Sequence, residues 1–187
     1  MDTKQFWAVI DKARKQADGW EDMYDPLVGI LATQDTPDIL KWKQIFDEYQ
    51  HLSYKNKLWA AAYIINGGCS DDGFDYFRGW LTAQGKNVFL KALKNPDSLA
   101  DVEACEGDVE FEDILGAPSD AYFKKLNIKP DYDRFYAELE KHPLPDADKS
   151  QMAAEITYAK DIDAEWDDED DESLSELLPK LCKAFDW

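Results

Sequence analysis

The chain of 187 residues carries 21 basic and 40 acidic side chains, a formal net charge of −19. Hydrophobic residues make up 44% of it and aromatic residues 13%, which is typical of a folded domain and not of a disordered chain. The longest apolar run, Leu58 to Ile65, is far too short to span a membrane, and no apolar segment follows Met1 as a secretory signal requires. The three cysteines, Cys69, Cys105 and Cys182, form no pattern of a disulfide framework or zinc site. We therefore expect a cytoplasmic protein with no membrane partner.

The acidic excess lies almost entirely in the second half of the chain. Residues 1–100 hold 12 basic and 14 acidic side chains, whereas residues 101–187 hold 9 basic and 26 acidic ones. A surface this negative repels phosphate, so we expect no nucleic-acid partner. Such a surface attracts basic proteins, although a simpler explanation is that the charge keeps the protein in solution.

Apolar residues recur at helical spacing over the first hundred positions. Phe6, Ile10, Ala13 and Ala17 share one helical face, between a capping Thr3 and a terminating Gly19. A second helix is predicted for about 20–32, and Thr36-Pro37 begins a third that ends near residue 54. Residues 58–65 are apolar on every side, which is typical of a helix in the centre of a bundle, and Gly67 and Gly68 end it. A helix capped by Ser70 follows to about residue 84, and a short one covers about 87–93.

The patterns weaken after residue 105. A short helix or an extended segment fits residues 109–115, and helices are predicted for 118–126, around 132–139 and near the C-terminus, where Pro179 starts or kinks the last helix. Any strand is expected to be short and to follow residue 105. The sequence predicts a mainly α, single-domain helical bundle, with a helical core domain at residues 1–128. Residues 129–187 are expected to form an acidic C-terminal helical extension that packs on this core.

The segment from residue 66 to residue 80 carries the residues best suited to chemistry. Asp71, Asp75 and Arg78 share one helical face, where they suit acid–base catalysis, a metal ion, or a surface ion pair between Asp75 and Arg78. Cys69 precedes a helix start, but no motif ties a histidine to it, so a structural role is expected. A ligand site here would be formed by Trp59, Asn66, Asp71, Asp75, Arg78 and Trp80.

The acidic run at residues 161–172 is the second candidate site, with nine acids in twelve positions. Its spacing resembles a calcium-binding EF-hand loop, but Trp166 stands where the turn of such a loop demands glycine. We therefore expect no metal centre, and nothing in the sequence implies a cofactor. Trp166 either docks on the body of the protein or serves as an exposed anchor for a partner. The predicted partner-binding residues are Asp161, Asp163, Glu165, Trp166, Asp167, Asp168, Glu169, Asp170, Asp171 and Glu172.

The block from Leu58 to Gly85 resembles the bacterial family catalogued as domain of unknown function 4240. The start of the chain, Phe6-Trp7 with Ile10, and the later Pro96-Asp-Ser-Leu99 are similar to the same family, so that the resemblance covers about residues 2–128. It implies a bacterial, cytosolic domain centred on the block from Trp59 to Trp80. It implies no activity, and no residue inherits a catalytic role.

Two hypotheses of function follow. In the first, the chain is a non-enzymatic interaction protein that binds a basic partner through its acidic C-terminal half, and an immunity or antitoxin-like role is one concrete version. In the alternative, it is a ligand-binding or enzymatic domain with a site around Trp59 to Trp80. An enzyme would gather several polar side chains of that block in a concave site, whereas an interaction protein would leave the block as packed core.

Overall fold

The computed structural model describes residues 1–102, 109–167 and 171–187, apart from the side chain of Asp171. Helices dominate these residues, which contain no strand, so the mainly α class is confirmed. The helices are α1 (Thr3–Arg14), α2 (Tyr24–Leu31), α3 (Thr36–Leu52), α4 (Asn56–Asn66), α5 (Asp71–Ala83), α6 (Lys86–Lys94), α7 (Ala117–Leu126), α8 (Tyr132–Lys141), α9 (Asp146–Glu155), α10 (Asp171–Leu177) and α11 (Pro179–Ala184). Two 3-10 turns, Pro96–Asp101 and Glu112–Leu115, lie between α6 and α7.

Local sequence signals place several helix ends within a residue or two. Ser70 caps α5 by accepting a hydrogen bond from the backbone N–H of Gly73 at 3.1 Å. Gly67 ends α4 in the left-handed conformation, with φ of 67°. The cap of α1 is Asp2 and not Thr3, because the carboxylate of Asp2 and the side chain of Gln5 bond each other's backbone N–H.

Two of the predicted helices are shorter in the structure. Helix α1 ends at Arg14, five residues before the expected stop at Gly19, and α2 begins at Tyr24 instead of about residue 20. The intervening residues form a turn in which Met23 is fully buried. The burial of Met23 therefore anchors a connection for which the apolar periodicity predicts helix.

A cluster of aromatic rings joins α1, α3 and α6 at the centre of the core. The ring of Phe6 lies 4.9 Å from Trp42 and 5.4 Å from Tyr49, centroid to centroid, and Phe89 lies 5.3 Å from Tyr49. The indole N–H of Trp7 donates to the buried Tyr49 hydroxyl at 3.0 Å. The cluster thus satisfies the polar groups of Trp7 and Tyr49 inside the core.

Close packing against α5 depends on Gly79. A Cβ atom at this position would lie 2.7 Å from Cγ2 of Ile114 and 2.9 Å from the carbonyl oxygen of Phe111. The absence of a side chain therefore lets the second 3-10 turn lie directly on α5.

Helices from residue 129 onward pack on the helices of the first half. Helix α8 contacts α3 and α7, α9 contacts α3, and α11 contacts α4 and the first 3-10 turn. The ammonium of Lys41 lies 2.5 Å from the carboxylate of Asp148, and that of Lys86 lies 2.5 Å from Glu155. The backbone N–H of Ala159 donates to the carbonyl of Leu93 at 3.0 Å.

One buried carboxylate connects the first 3-10 turn to the last helix. Asp97 is 8% exposed and accepts hydrogen bonds from the backbone N–H groups of Lys180 and Leu181 at 3.0 Å. N–H groups in the first turn of a helix have no partner within that helix. The carboxylate accepts from two of them in α11 and also complements the positive end of the helix. Asp97 therefore fixes the C-terminal helix to the core.

We expect Asp97→Ala to lower the free energy of unfolding by about 1–2 kcal/mol, because it leaves buried N–H groups without an acceptor. Urea denaturation would measure the loss, and amide hydrogen exchange would localise it to α11. Asp101→Ala is the matched control on the same turn, where the exposed ion pair with Lys91 contributes little. Equal losses in the two variants would contradict the capping role of Asp97.

Candidate functional site

The acidic segment at residues 161–166 lies along the start of α4. The backbone N–H of Lys57 donates to the carbonyl of Ile162 at 2.9 Å. The Lys57 ammonium lies 2.6 Å from Oδ2 of Asp161, and the Lys55 ammonium lies 2.9 Å from Oδ2 of Asp163. Two of the predicted partner-binding carboxylates are therefore already paired within the chain.

Trp166 docks on the body of the protein. Its indole N–H donates to the carbonyl of Asn56 at 2.9 Å, and its ring lies 5.3 Å from the ring of Tyr63. The sequence left open whether Trp166 docks on the body of the protein or is an exposed anchor, and in the structure it docks. The side chain nonetheless remains partly exposed, since one side of it borders a cleft.

The other acidic residues of the run differ in how the structure describes them. Glu165, Asp167 and Glu172 are exposed. The backbone of Asp171 begins α10. Asp168, Glu169 and Asp170 lie outside the described residues.

Arg78, the cation of the predicted ligand site, is buried and fully engaged. Its Nε donates to the carbonyl of Phe74 at 3.2 Å, and its two terminal nitrogens donate to the carbonyl of Gln50 and to Asp75. Its guanidinium carbon also lies 4.8 Å from the ring centre of Tyr54. The Asp75–Arg78 pair is therefore not a surface pair, because Arg78 lies inside the protein while Asp75 is exposed.

The remaining residues of the predicted ligand site differ in their surroundings. Trp80 is fully buried in the core. The carbonyl oxygen of the Asn66 side chain accepts from the backbone N–H of Val109 at 3.0 Å. The Asp71 carboxylate is exposed, 3.5 Å from the Tyr54 hydroxyl. Trp59 of the predicted set lines a cleft.

Cys69 lies in a setting that keeps its thiol protonated. Burial, and then the carboxylate of Glu110, raise the pKa of Cys69 to about 12. The protonated thiol is a poor nucleophile, in agreement with the structural role expected from the sequence.

Trp59 shares its cleft with residues of the acidic segment. The cleft has a volume of about 480 Å³ and is lined by Asn56, Trp59, Tyr63, Cys69, Glu165 and Trp166. The two sites that the sequence separated, the Trp59 block and the acidic run, thus each contribute side chains to one concave surface. We call these six residues the aromatic–acidic cleft.

Sequence reasoning missed Tyr63 and Asn56 as members of the site. The apolar pattern of residues 58–65 predicts a helix in the centre of a bundle. In the structure, Trp59 and Tyr63 remain partly exposed, and they lie four residues apart on one face of α4. Two signals in the sequence indicate this exposed stripe. Trp59 and Tyr63 are four residues apart, and Trp and Tyr side chains can lie between apolar and aqueous surroundings.

Within the described residues, no group of three or more His, Cys, Asp or Glu side chains is placed to hold a metal ion. Over the same part of the chain, no helix is long and apolar enough to cross a membrane.

A family model described as "Protein of unknown function (DUF4240)" matches residues 1–124, about two thirds of the chain. The chain belongs to this family. No curated protein and no solved structure matches it. The resemblance stated from the sequence is confirmed over nearly the same residues.

The aromatic–acidic cleft is a composite of the DUF4240 match and the chain that follows it. Asn56, Trp59, Tyr63 and Cys69 lie within the matched residues, whereas Glu165 and Trp166 lie beyond them. The C-terminal residues therefore complete a surface that the family portion begins.

We expect Cys69 of this DUF4240 member to resist alkylation in the native state. A thiol with a pKa of about 12 has a thiolate fraction roughly 1,000-fold smaller at neutral pH than one with its ordinary value of 9.0. Iodoacetamide labelling followed by peptide mass spectrometry would give the rate at Cys69 alone. Labelling in urea is the control, and equal rates in the native and unfolded protein would refute the protected thiol.

The ion pair at Asp161 predicts a pH dependence of stability. The hydrogen bond from Lys57 lowers the pKa of Asp161, so the folded state favours the carboxylate. Its stabilising effect is present above the unfolded pKa near 4 and is lost as the pH falls through the folded value. We expect Asp161→Asn to lower the free energy of unfolding by about 0.2–1 kcal/mol at pH 7, because the pair is half exposed.

Urea denaturation at pH 7 and near pH 3 would test this expectation. The difference between Asp161→Asn and the unmodified protein should shrink at the lower pH, because protonation of Asp161 progressively removes the charge that the pair requires. Glu21→Gln, an exposed carboxylate between α1 and α2, is the control. A difference that stays constant with pH would exclude the ion pair as its cause.

Proposed function

We propose that this protein is a non-enzymatic, cytoplasmic interaction protein that binds a basic protein through its acidic C-terminal half. An immunity or antitoxin-like role, in which it neutralises a basic toxin, is the concrete version. The observation that carries the proposal is the position of Glu165 and Trp166. An exposed carboxylate and a partly exposed indole border one concave surface within the strongly acidic half of the chain.

Electrostatics supports a basic partner. Residues 101–187 carry 26 acidic and 9 basic side chains. Only some of these carboxylates are neutralised within the chain, as in the pairs of Asp161 with Lys57 and Asp163 with Lys55. The surplus speeds encounter with a cationic protein and selects against anionic ones.

The enzymatic alternative has less support at the block from Trp59 to Trp80. Trp80 lies in the core, and the buried Arg78 guanidinium donates hydrogen bonds to backbone carbonyls of its own chain. Burial raises the pKa of the Cys69 thiol. Arg78, the cation that acid–base catalysis would use, is already paired with Asp75. Binding of a ligand without chemistry keeps specific support, since Trp59 borders the cleft.

The paired carboxylates change how the acidic run should be tested. Neutralising Asp161 and Asp163 would release the segment from α4 as well as remove charge. The informative variant therefore leaves both in place, together with Glu165 of the cleft. It replaces four other carboxylates by amides, at Asp167, Asp168, Glu169 and Asp170.

The matched control removes the same number and kind of charges from the first half of the chain. It replaces three exposed carboxylates between α1 and α2 and one in the first turn of α2 by amides, at Asp18, Glu21, Asp22 and Asp25. Each variant neutralises three Asp and one Glu, so both reduce the negative net charge by the same amount. A difference in partner affinity between the two variants would therefore reflect where the charges lie in the chain.

We expect the Asp167–Asp170 variant to bind the basic partner at least about tenfold more weakly, and the control variant to lose less than about threefold. Affinity capture from the lysate of the source cell at low salt would supply the partner, and calorimetry with the purified pair would give the affinities. Binding should weaken as ionic strength rises. Equal losses in the two variants would show that net charge alone matters, and binding unchanged in both would refute the electrostatic contact.

A further inference from the structure

We propose that the aromatic–acidic cleft is a binding site for a methylated ammonium group, carried by a free small molecule or by a trimethylated lysine. The site goes beyond the proposed function, because it would bind its ligand through aromatic faces and Glu165 rather than through the net charge of the acidic half. The volume of about 480 Å³ lies in the range of small-molecule sites. Three of its six lining side chains are aromatic, and a fourth, Glu165, is anionic.

The ring of Trp59 is held with one face toward the protein. It stacks on Phe74 at 5.0 Å between centroids, with 9° between the ring planes. Tyr54 lies 5.8 Å from Trp59 and 5.5 Å from Phe74, so it stands beside the stack and does not cover the free face of Trp59. The indole N–H donates to the carbonyl of Cys69 at 3.0 Å. What Trp59 offers to the cleft is therefore aromatic surface rather than a hydrogen-bond donor.

Trp166 is held in place in the same manner as Trp59. Its indole N–H is occupied by the carbonyl of Asn56, and its ring packs on Tyr63. The polar edges of both tryptophans are thus bonded to backbone before any ligand enters. Aromatic faces fixed in this way attract cations through their quadrupole and lose little conformational entropy on binding.

The charge of the cleft is negative. Glu165 is exposed, and among the described residues it forms no ion pair or hydrogen bond. The lysines next to it in the fold, Lys55 and Lys57, are paired with Asp163 and Asp161. A cation in the cleft would therefore meet one uncompensated carboxylate and no competing ammonium among the lining residues.

The geometry favours a methylated ammonium over the other two biological cations. A guanidinium carries five N–H donors, and Glu165 is the one carboxylate among the lining side chains that could accept them. A primary ammonium has three donors to satisfy, and Glu165 is again the one carboxylate among the lining side chains that could accept them. A methylated ammonium is compact, weakly hydrated and free of donors, so it loses least when rings replace water.

Choline chloride is the first probe, and its neutral isostere 3,3-dimethylbutan-1-ol is the control ligand. We expect choline to shift the indole N–H signals of Trp59 and Trp166 in an NMR titration and to bind at least about tenfold more tightly than the neutral isostere, which lacks the cation–π attraction. Guanidinium chloride at non-denaturing concentration should bind more weakly than choline. Equal affinity of the neutral isostere, or no shift of either indole with choline at millimolar concentration, would overturn the proposal.

Matched variants test the residues of the site. Glu165→Gln changes charge but not shape and should weaken choline binding about threefold to tenfold. Glu140→Gln, an exposed carboxylate at a different cleft beside α8, should leave it unchanged. Tyr63→Leu removes an aromatic wall and should abolish binding, with thermal unfolding as the check on the fold. Equal effects of the two glutamine variants would refute the role of Glu165.

A peptide that carries trimethyllysine separates the two sources of the ligand. Binding more than about tenfold tighter than choline would assign the site to a modified protein, and similar affinities would assign it to a free small molecule. Both outcomes support a methylated-ammonium site. The Asp167–Asp170 variant should bind choline normally, so loss of the basic partner and loss of the cation site are distinguishable.

Discussion

The burial of α4 is the constraint on which the rest of the structure depends. Leu58, Ala60, Ala61 and Ala62 of this helix are completely buried, and an apolar helix can reach that state only when it is covered on almost every side. Helix α5 and the first 3-10 turn cover part of it, and α11 covers another part. The two halves of the chain therefore share one core, and each needs the other to exclude water from α4.

The start of α4 shows how the acidic half is oriented on this core. Two lysines flank Asn56, and each meets a carboxylate of residues 161–163, while a backbone hydrogen bond from Lys57 to Ile162 sets the register. Exposed ion pairs contribute little energy on their own. Together with the docking of Trp166 on Asn56 and Tyr63, they select one position for the segment. Part of the negative charge of this protein thus organises its own fold, and the surplus remains at the surface.

This arrangement changes the relation between the two hypotheses of function. The sequence set a partner surface at the acidic run against a ligand site in the block from Trp59 to Trp80. In the structure, Trp59 of the second set faces the same cleft as Glu165 and Trp166 of the first. Elsewhere in the block, Trp80 and Arg78 are buried. The family portion and the residues beyond it thus contribute side chains to the same cleft.

The sequence by itself determined the helical class, most helix positions up to residue 94, the Ser70 cap, the Gly67 stop, the family and the asymmetry of charge. These features depend on periodicity, local hydrogen bonding and composition, which neighbouring residues settle among themselves. Only the tertiary structure decided that Arg78 is enclosed, that Asp97 caps a helix more than eighty positions away, and that Trp166 meets Tyr63. A repeating pattern shows which face of a helix is apolar but not which segment will cover it, because that choice depends on how distant parts of the chain close around a common core.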